Sequence, residues 1–312
     1  MEPRLIPINA LIALTTGQGG WPPVLAEAGY KLHGIEVLLR PSDGQQTCID
    51  AILAHMELRI ATLAECKSGQ NLKERQLKAY GAVTGTHLAR QVGFPFRDPT
   101  PEILLVGLAE NRERLAVAKK SLGLELPTML VSQRTVQLED DLAGLKACEI
   151  AVPGWPPRII PMDTHSPDED LIRHLIPKIV AEMARGTEVI AVDSLLRQVI
   201  GWWDLYPSGG ERKQLCARAT SVLRSASERK YAQDFTIEER KGENGGVIRI
   251  LRSPASYRPR GVTQGWQRLQ RQTMATLGRR NVKPESPGQL ELSFEALGLD
   301  AEAPGDSREP GR

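Results

Sequence analysis

The sequence predicts an α/β protein in which helices flank a mixed sheet. A smaller helical domain and a disordered acidic tail follow. Three observations carry this reading. Residues 1–150 alternate in the order helix, three strands, helix, strand, helix, strand. A proline-rich stretch over 151–170 then breaks all periodicity. Beyond it, three helical segments precede two alternating runs around Asn244-Gly245, a pair that tolerates positive φ and marks a hairpin. With 312 residues and 41% hydrophobic content, the chain can bury two ordinary cores.

Residues 5–14 and 22–31 read as short helices around the flexible Gly17-Gln18-Gly19-Gly20. Strands follow at 35–40, 47–54 and 59–65, and Pro41-Ser42-Asp43-Gly44 turns between the first two. Asn71-Leu72-Lys73-Glu74 has the form of a capping box. Leu77, Tyr80, Thr84 and Leu88 continue at helical spacing, which predicts one helix to about residue 91. A strand at 102–107, a helix at 111–122, a strand at 127–133 and a helix over 138–148 complete the first domain.

In the second domain, spanning 171–255, helices are expected at 171–185, 193–206 and 208–229. A short strand falls at 188–191 and the hairpin strands at 234–238 and 247–252. Three helices followed by a hairpin outline a winged helix. A basic helical extension is expected over 256–280, and 281–312 is rich in Pro, Gly and acidic residues. Trp202 and Trp203 read as core rather than as stacking platforms.

Net charge is only +2, but basic residues dominate from Arg224 to Arg280 and the balance then turns acidic. Such asymmetry suggests a polyanionic partner. The absence of a secretory signal and of a membrane-length apolar run leads to a soluble, cytoplasmic expectation with no membrane partner. The four cysteines lack zinc-ligand or redox spacing and read as reduced, mostly buried hydrophobes.

The residues suited to chemistry lie in the first domain. Alternate side chains of a strand share a face, so Glu65 and Lys67 project together and Cys66 points away. If the strands at 47–54 and 59–65 pair antiparallel, Asp50 reaches the same edge. Two carboxylates are hard oxygen ligands suited to Mg²⁺ or Mn²⁺. Lys67 supplies a compact cation that can offset phosphate charge. Gln76 and Tyr80, four apart, share one helix face, and Lys73 joins them.

Asp50, Glu65-Cys66-Lys67 and Gln76-Leu77-Lys78-Ala79-Tyr80 together resemble the PD-(D/E)XK nuclease superfamily, the last segment being similar to the QxxxY motif of its RecB-like branch. The resemblance covers roughly residues 30–110. It implies a restriction-endonuclease-like sheet and a metal-dependent DNA phosphodiesterase. Asp50 and Glu65 would be its metal ligands, Lys67 its catalytic lysine, and Gln76 and Tyr80 members of the site. Ile49 stands where the family motif has proline. An upstream acid often joins this site; Glu27 is the first candidate and Glu36 the second.

In the winged-helix reading, the third helix and wing carry the DNA contacts: Arg212, Lys213, Arg218, Arg224, Arg240 and Lys241. In the tail, Gln289-Leu290-Glu291-Leu292-Ser293-Phe294 is similar to the bacterial sliding-clamp-binding hexapeptide, with Gln289, Leu290, Leu292 and Phe294 as anchors. The expected protein is a Mg²⁺-dependent DNA nuclease, and a homodimer stays open. The alternatives are a non-catalytic DNA-binding adaptor with a degenerate nuclease fold, and a subunit similar to the endonuclease of heteromeric transposases.

Overall fold

The computed structural model describes residues 2–40, 46–69, 74–123, 125–207, 209–239 and 245–251. The clamp-like hexapeptide, the basic extension, Lys73, Arg240 and Lys241 lie outside them. The chain separates into two compact units, 1–266 and 267–312. All described residues belong to the first. Among them, no helix is long and apolar enough to cross a membrane.

Helix α1 (Ile6–Thr16) is apolar on every side, and its residues from Ile6 to Thr15 are buried. A helix of this kind must be enclosed. One side meets the main sheet and another the short α2 (Val24–Glu27). The proline-rich segment bears on it too. Fully buried Asn9 donates through Nδ2 to the Ile160 carbonyl (2.9 Å) and accepts from the Ile160 amide at Oδ1 (2.7 Å). Ile159, Ile160 and Met162 are buried. Residues 152–167 therefore form no regular element, as their prolines require, but they are a packed strap and not a free spacer.

The main sheet holds seven strands in chain order: β1 (Tyr30–Leu39), β2 (Thr47–His55), β3 (Ile60–Lys67), β4 (Thr100–Leu108), β5 (Thr128–Val131), β6 (Thr135–Leu138) and β7 (Cys148–Ala151). The first three form an antiparallel meander. β4 lies parallel to β3, and β5 parallel to β4; β6 and β7 return antiparallel. A parallel pair needs a long crossover. Between β3 and β4 it contains α3 (Glu74–Gly81) and α4 (Gly85–Gln91). Between β4 and β5 it contains α5 (Arg112–Ser121).

Several expectations are corrected. Residues 22–31 form only one helical turn, because Gly29 takes φ +95° and Tyr30 starts β1. The single helix expected to residue 91 is two. Thr84 leaves helical geometry at ψ 162° and caps α4, accepting from the His87 amide while His87 reaches back. The helix expected at 138–148 is absent. Val136 and Leu138 alternate inward as β6, and Ile150 does so on β7. Between them the chain turns back on itself: Leu142 and Leu145 exchange backbone hydrogen bonds (2.9 and 2.8 Å), and Gly144 takes φ +77°.

Residues 168–250 give α6 (Asp168–Ala184), β8 (Val189–Ala191), α7 (Val192–Val199), α8 (Glu211–Arg229), β9 (Phe235–Glu239) and β10 (Gly246–Ile250). The three strands pair in the order β8-β10-β9, all antiparallel. Helix α7 stops earlier than expected, and a 3-10 turn at Trp203–Leu205 follows. This group packs on the edge strand β1: a methyl built on Gly210 would touch Leu38 at 3.4 Å.

Candidate active site

Four residues reach Glu65 or its strand neighbour because of where the sheet pairs. Ala61 and Leu63 of β3 join Tyr80, Val83 and Leu88 in one core. Glu65 and Lys67 continue that face toward the strand end. Ala51 pairs with Ala64, so continuing the antiparallel register sets Asp50 across from Glu65.

Glu65 is the hub. Its side chain is 1% exposed, and both oxygens are engaged. The Lys67 ammonium contacts Oε1. Gln76 Nε2 donates to Oε2 at 2.8 Å. The Tyr80 hydroxyl lies 2.5 Å from the same oxygen and 2.8 Å from the Cys48 carbonyl, so it has a choice of two acceptors for one proton. Burial and the Asp50 and Glu65 charges push the Tyr80 phenol well above its ordinary value, so it stays a donor.

Asp50 Oδ2 accepts from the Cys66 amide at 2.6 Å. Burial, and then the charge of Glu65, push its carboxyl up to about 7, against the Cys66 hydrogen bond and the Lys67 ammonium. Burial pulls the Lys67 ammonium down, but the Glu65 and Asp50 charges outweigh it and the net shift is upward.

Of the two candidate upstream acids, the structure brings in Glu36. It sits mid-strand between Ile35, paired with Ala51, and Val37, paired with Ile49. It therefore faces the Asp50 position. Its φ is +51°, in the left-handed region that a strand residue with a Cβ rarely adopts. The Cys48 thiol donates to its Oε2 at 3.3 Å. Burial and the Asp50 charge raise the Glu36 carboxyl well above its ordinary range, with smaller contributions from Glu211 and Asp163. Glu27 is exposed and precedes the Tyr30 end of β1, which pairs with His55 at the far end of β2. It is not part of this cluster.

Sequence reasoning missed Glu211 and Asp163. Glu211 opens α8 and accepts from the Thr164 hydroxyl; Arg4 pairs with Asp163 at 2.6 Å. Both charges reach Glu36, and that of Glu211 also reaches Asp50, because the strap and α8 fold back on β1. No local motif marks them.

The basic residues expected on α8 divide. Arg212 pairs with Asp193 through Nε (2.9 Å) and a terminal nitrogen (2.8 Å), and lies over the Trp203 ring at 5.1 Å. Arg218 donates to the Thr164 carbonyl and pairs with Asp168 at 3.0 Å. These two tie α8 to its own surroundings. Lys213 is exposed, and Arg224 is half-buried.

Among the described residues, no set of three or more His, Cys, Asp or Glu side chains is spaced to hold a metal by itself. Magnesium needs fewer, since it keeps several waters and takes one or two protein carboxylates together with substrate phosphate. Asp50 and Glu65 meet that requirement in chemical type. The raised Asp50 carboxyl supports the fit: two desolvated carboxylates repel each other, and a divalent cation between them relieves the repulsion. Beside the site, where β3 and β4 end, Asn111 Nδ2 donates to the Ser68 carbonyl (2.8 Å). There a cleft of about 550 Å³ is lined by Ala109, Glu110, Asn111, Arg112, Glu113 and Arg114.

A family model described as the MJECL32 domain matches residues 5–102, from the approach to α1 into β4. No curated protein and no solved structure matches the chain.

Proposed function

We propose that the protein is a divalent-cation-dependent DNA nuclease, with Asp50, Glu65, Lys67, Gln76 and Tyr80 as its active site. The observation that carries this reading is the hub at Glu65, where Lys67, Gln76 and Tyr80 converge on one buried carboxylate. A carboxylate held only for structure has no need of a second acid beside it whose charging is opposed. The backbone outlier at Glu36, facing that second acid, is a further mark of a functional site. The succession of α1, an antiparallel three-strand meander, a helical crossover and a parallel fourth strand supports the PD-(D/E)XK resemblance.

Asp50 and Glu65 would hold Mg²⁺ or Mn²⁺, with Glu36 as the neighbouring acid. When bound, the ion supplies Lewis-acid stabilisation of charge on the phosphate. Lys67 offsets charge on a phosphate oxygen once it turns from Glu65. Gln76 and Tyr80 fix the Glu65 carboxylate in one orientation by donating to the same oxygen.

The α6–β10 group has the helix, strand, helix, helix, hairpin order of a winged helix. In this reading Lys213 keeps its expected α8 contact to DNA, and Arg212 and Arg218 do not. The tail hexapeptide would recruit a sliding clamp.

The test is cleavage of single-stranded, duplex and branched DNA with Mg²⁺ or Mn²⁺. Wild type should cut at least one of them. Lys67→Ala should lose at least about two orders of magnitude in rate with its circular dichroism unchanged. Wild type and Lys67→Ala equally inert on every substrate would leave the non-catalytic adaptor as the better account.

A further inference from the structure

Tandem tryptophans sit in the connection between α7 and α8, and the fold treats them oppositely. Trp203 is 1% exposed; its indole Nε1 donates to Asp193 at 3.1 Å, and its ring packs on Tyr206 with centroids 5.1 Å apart. Trp202 is 42% exposed and holds φ +63°, ψ +25°. That is left-handed backbone, which glycine adopts freely and a bulky side chain resists. A turn needing only this conformation has no use for an indole. Water, moreover, reaches much of the ring. Both the backbone and the solvent disfavour tryptophan here, and an outlier of this kind points to function.

The turn that follows Trp202 packs on β1, the strand that carries Glu36. From Trp202, the 3-10 turn leads in four residues to Tyr206. Tyr206 is buried; burial, and then the charges of Glu36, Asp163 and Glu211, raise its phenol well above the ordinary value. The Leu205 carbonyl lies over the bulged part of β1, 3.9 Å from where a methyl on Gly34 would stand.

We infer that Trp202 is a stacking platform for a nucleobase flanking the phosphate at the carboxylate site. The favoured substrate is then DNA with unpaired bases beside the cut: a single strand, a frayed end or a branch. This rests on the nuclease reading and narrows its substrate class. A base inside a duplex has both faces covered by its neighbours, so only an unpaired one can lie on the indole. Every base has a π face, so the contact selects strand state and not sequence.

The experiment uses the full chain without added metal and labelled oligonucleotides read by fluorescence anisotropy. Trp202→Ala should weaken single-strand binding by about 5- to 150-fold, the range found for removing one stacked base. Blunt-duplex affinity should stay unchanged, and Trp202→Phe should recover most of the loss. Trp202→Gly separates stacking from folding. Glycine suits the left-handed backbone, so its thermal midpoint should hold or rise while single-strand affinity falls as for alanine. Equal single-strand affinity in wild type and Trp202→Gly overturns the inference, as does an equal loss on duplex. An indole that docks a protein side chain gives the first of those results. If wild type cuts DNA and the variants bind single strands as tightly, the stacking idea alone fails. If wild type neither binds nor cuts any DNA, the nuclease reading fails with it.

Discussion

Replacing Asp50 with asparagine should stabilise the metal-free protein at alkaline pH and remove its response to magnesium. The Asp50 carboxyl is raised from an ordinary 3.8 to about 7, first by burial and then by Glu65. A shift of about 3 units corresponds to at most about 4 kcal/mol. Local relaxation lowers this, and about 2 kcal/mol is expected. The sign follows from proton binding. The folded state holds the Asp50 proton more tightly than the unfolded chain. Its favourable contribution is therefore complete below about pH 4 and is lost as pH rises through about 7. Above that, folding keeps an ionised carboxylate beside Glu65. The substituted amide keeps an oxygen for the Cys66 N–H and carries no charge. At pH 8 the variant should melt roughly 4–8 °C above wild type, and at pH 4 the two should coincide. Saturating Mg²⁺ reverses the order: about 2.7 kcal/mol accrues to wild type at a hundredfold excess over Kd, and little to the variant. Differential scanning calorimetry across pH 4–8, with and without metal, measures all of this. A variant less stable at pH 8, or one that keeps the wild-type pH slope, would refute the idea that charge is crowded at this site.

Tyr80→Phe removes the one hydroxyl proton within reach of both Glu65 Oε2 and the Cys48 carbonyl. Urea unfolding should register a loss of about 1–3 kcal/mol, and nuclease activity should fall with it. Arg212→Ala strands Asp193 and uncovers the Trp203 ring. It should cost about 2 kcal/mol of stability while leaving the salt dependence of DNA binding unaltered. Lys213→Ala should do the reverse: unchanged stability, weaker DNA affinity and a log–log salt slope shallower by about 1.

The meander and its acids were legible because they depend on local pattern. Alternation in Thr47–His55 and Ile60–Lys67 fixes which side chains share a face. A Gln and a Tyr four residues apart must share a helix side wherever the helix docks. The turn before Cys148 was not legible: Leu138, Leu142 and Leu145 fit helical spacing, yet Leu142 and Leu145 pair with each other and close a loop. Nor was the break at Thr84, since the capping exchange with His87 competes with a continuous apolar stripe.

The sequence by itself determined the identity of the acids at 50 and 65, the lysine at 67 and the polar helix face that meets them. Only the tertiary structure chose Glu36 over Glu27, because that depends on which end of β1 pairs beside Asp50. It alone brought Glu211 and Asp163 within range of Glu36, committed Arg212 and Arg218 to ion pairs, and left one of two adjacent tryptophans in water. The physical reason is range. Side-chain direction along a strand or helix is set by backbone geometry over a few residues. Charge proximity and solvent exposure depend on what the rest of the chain lays against them.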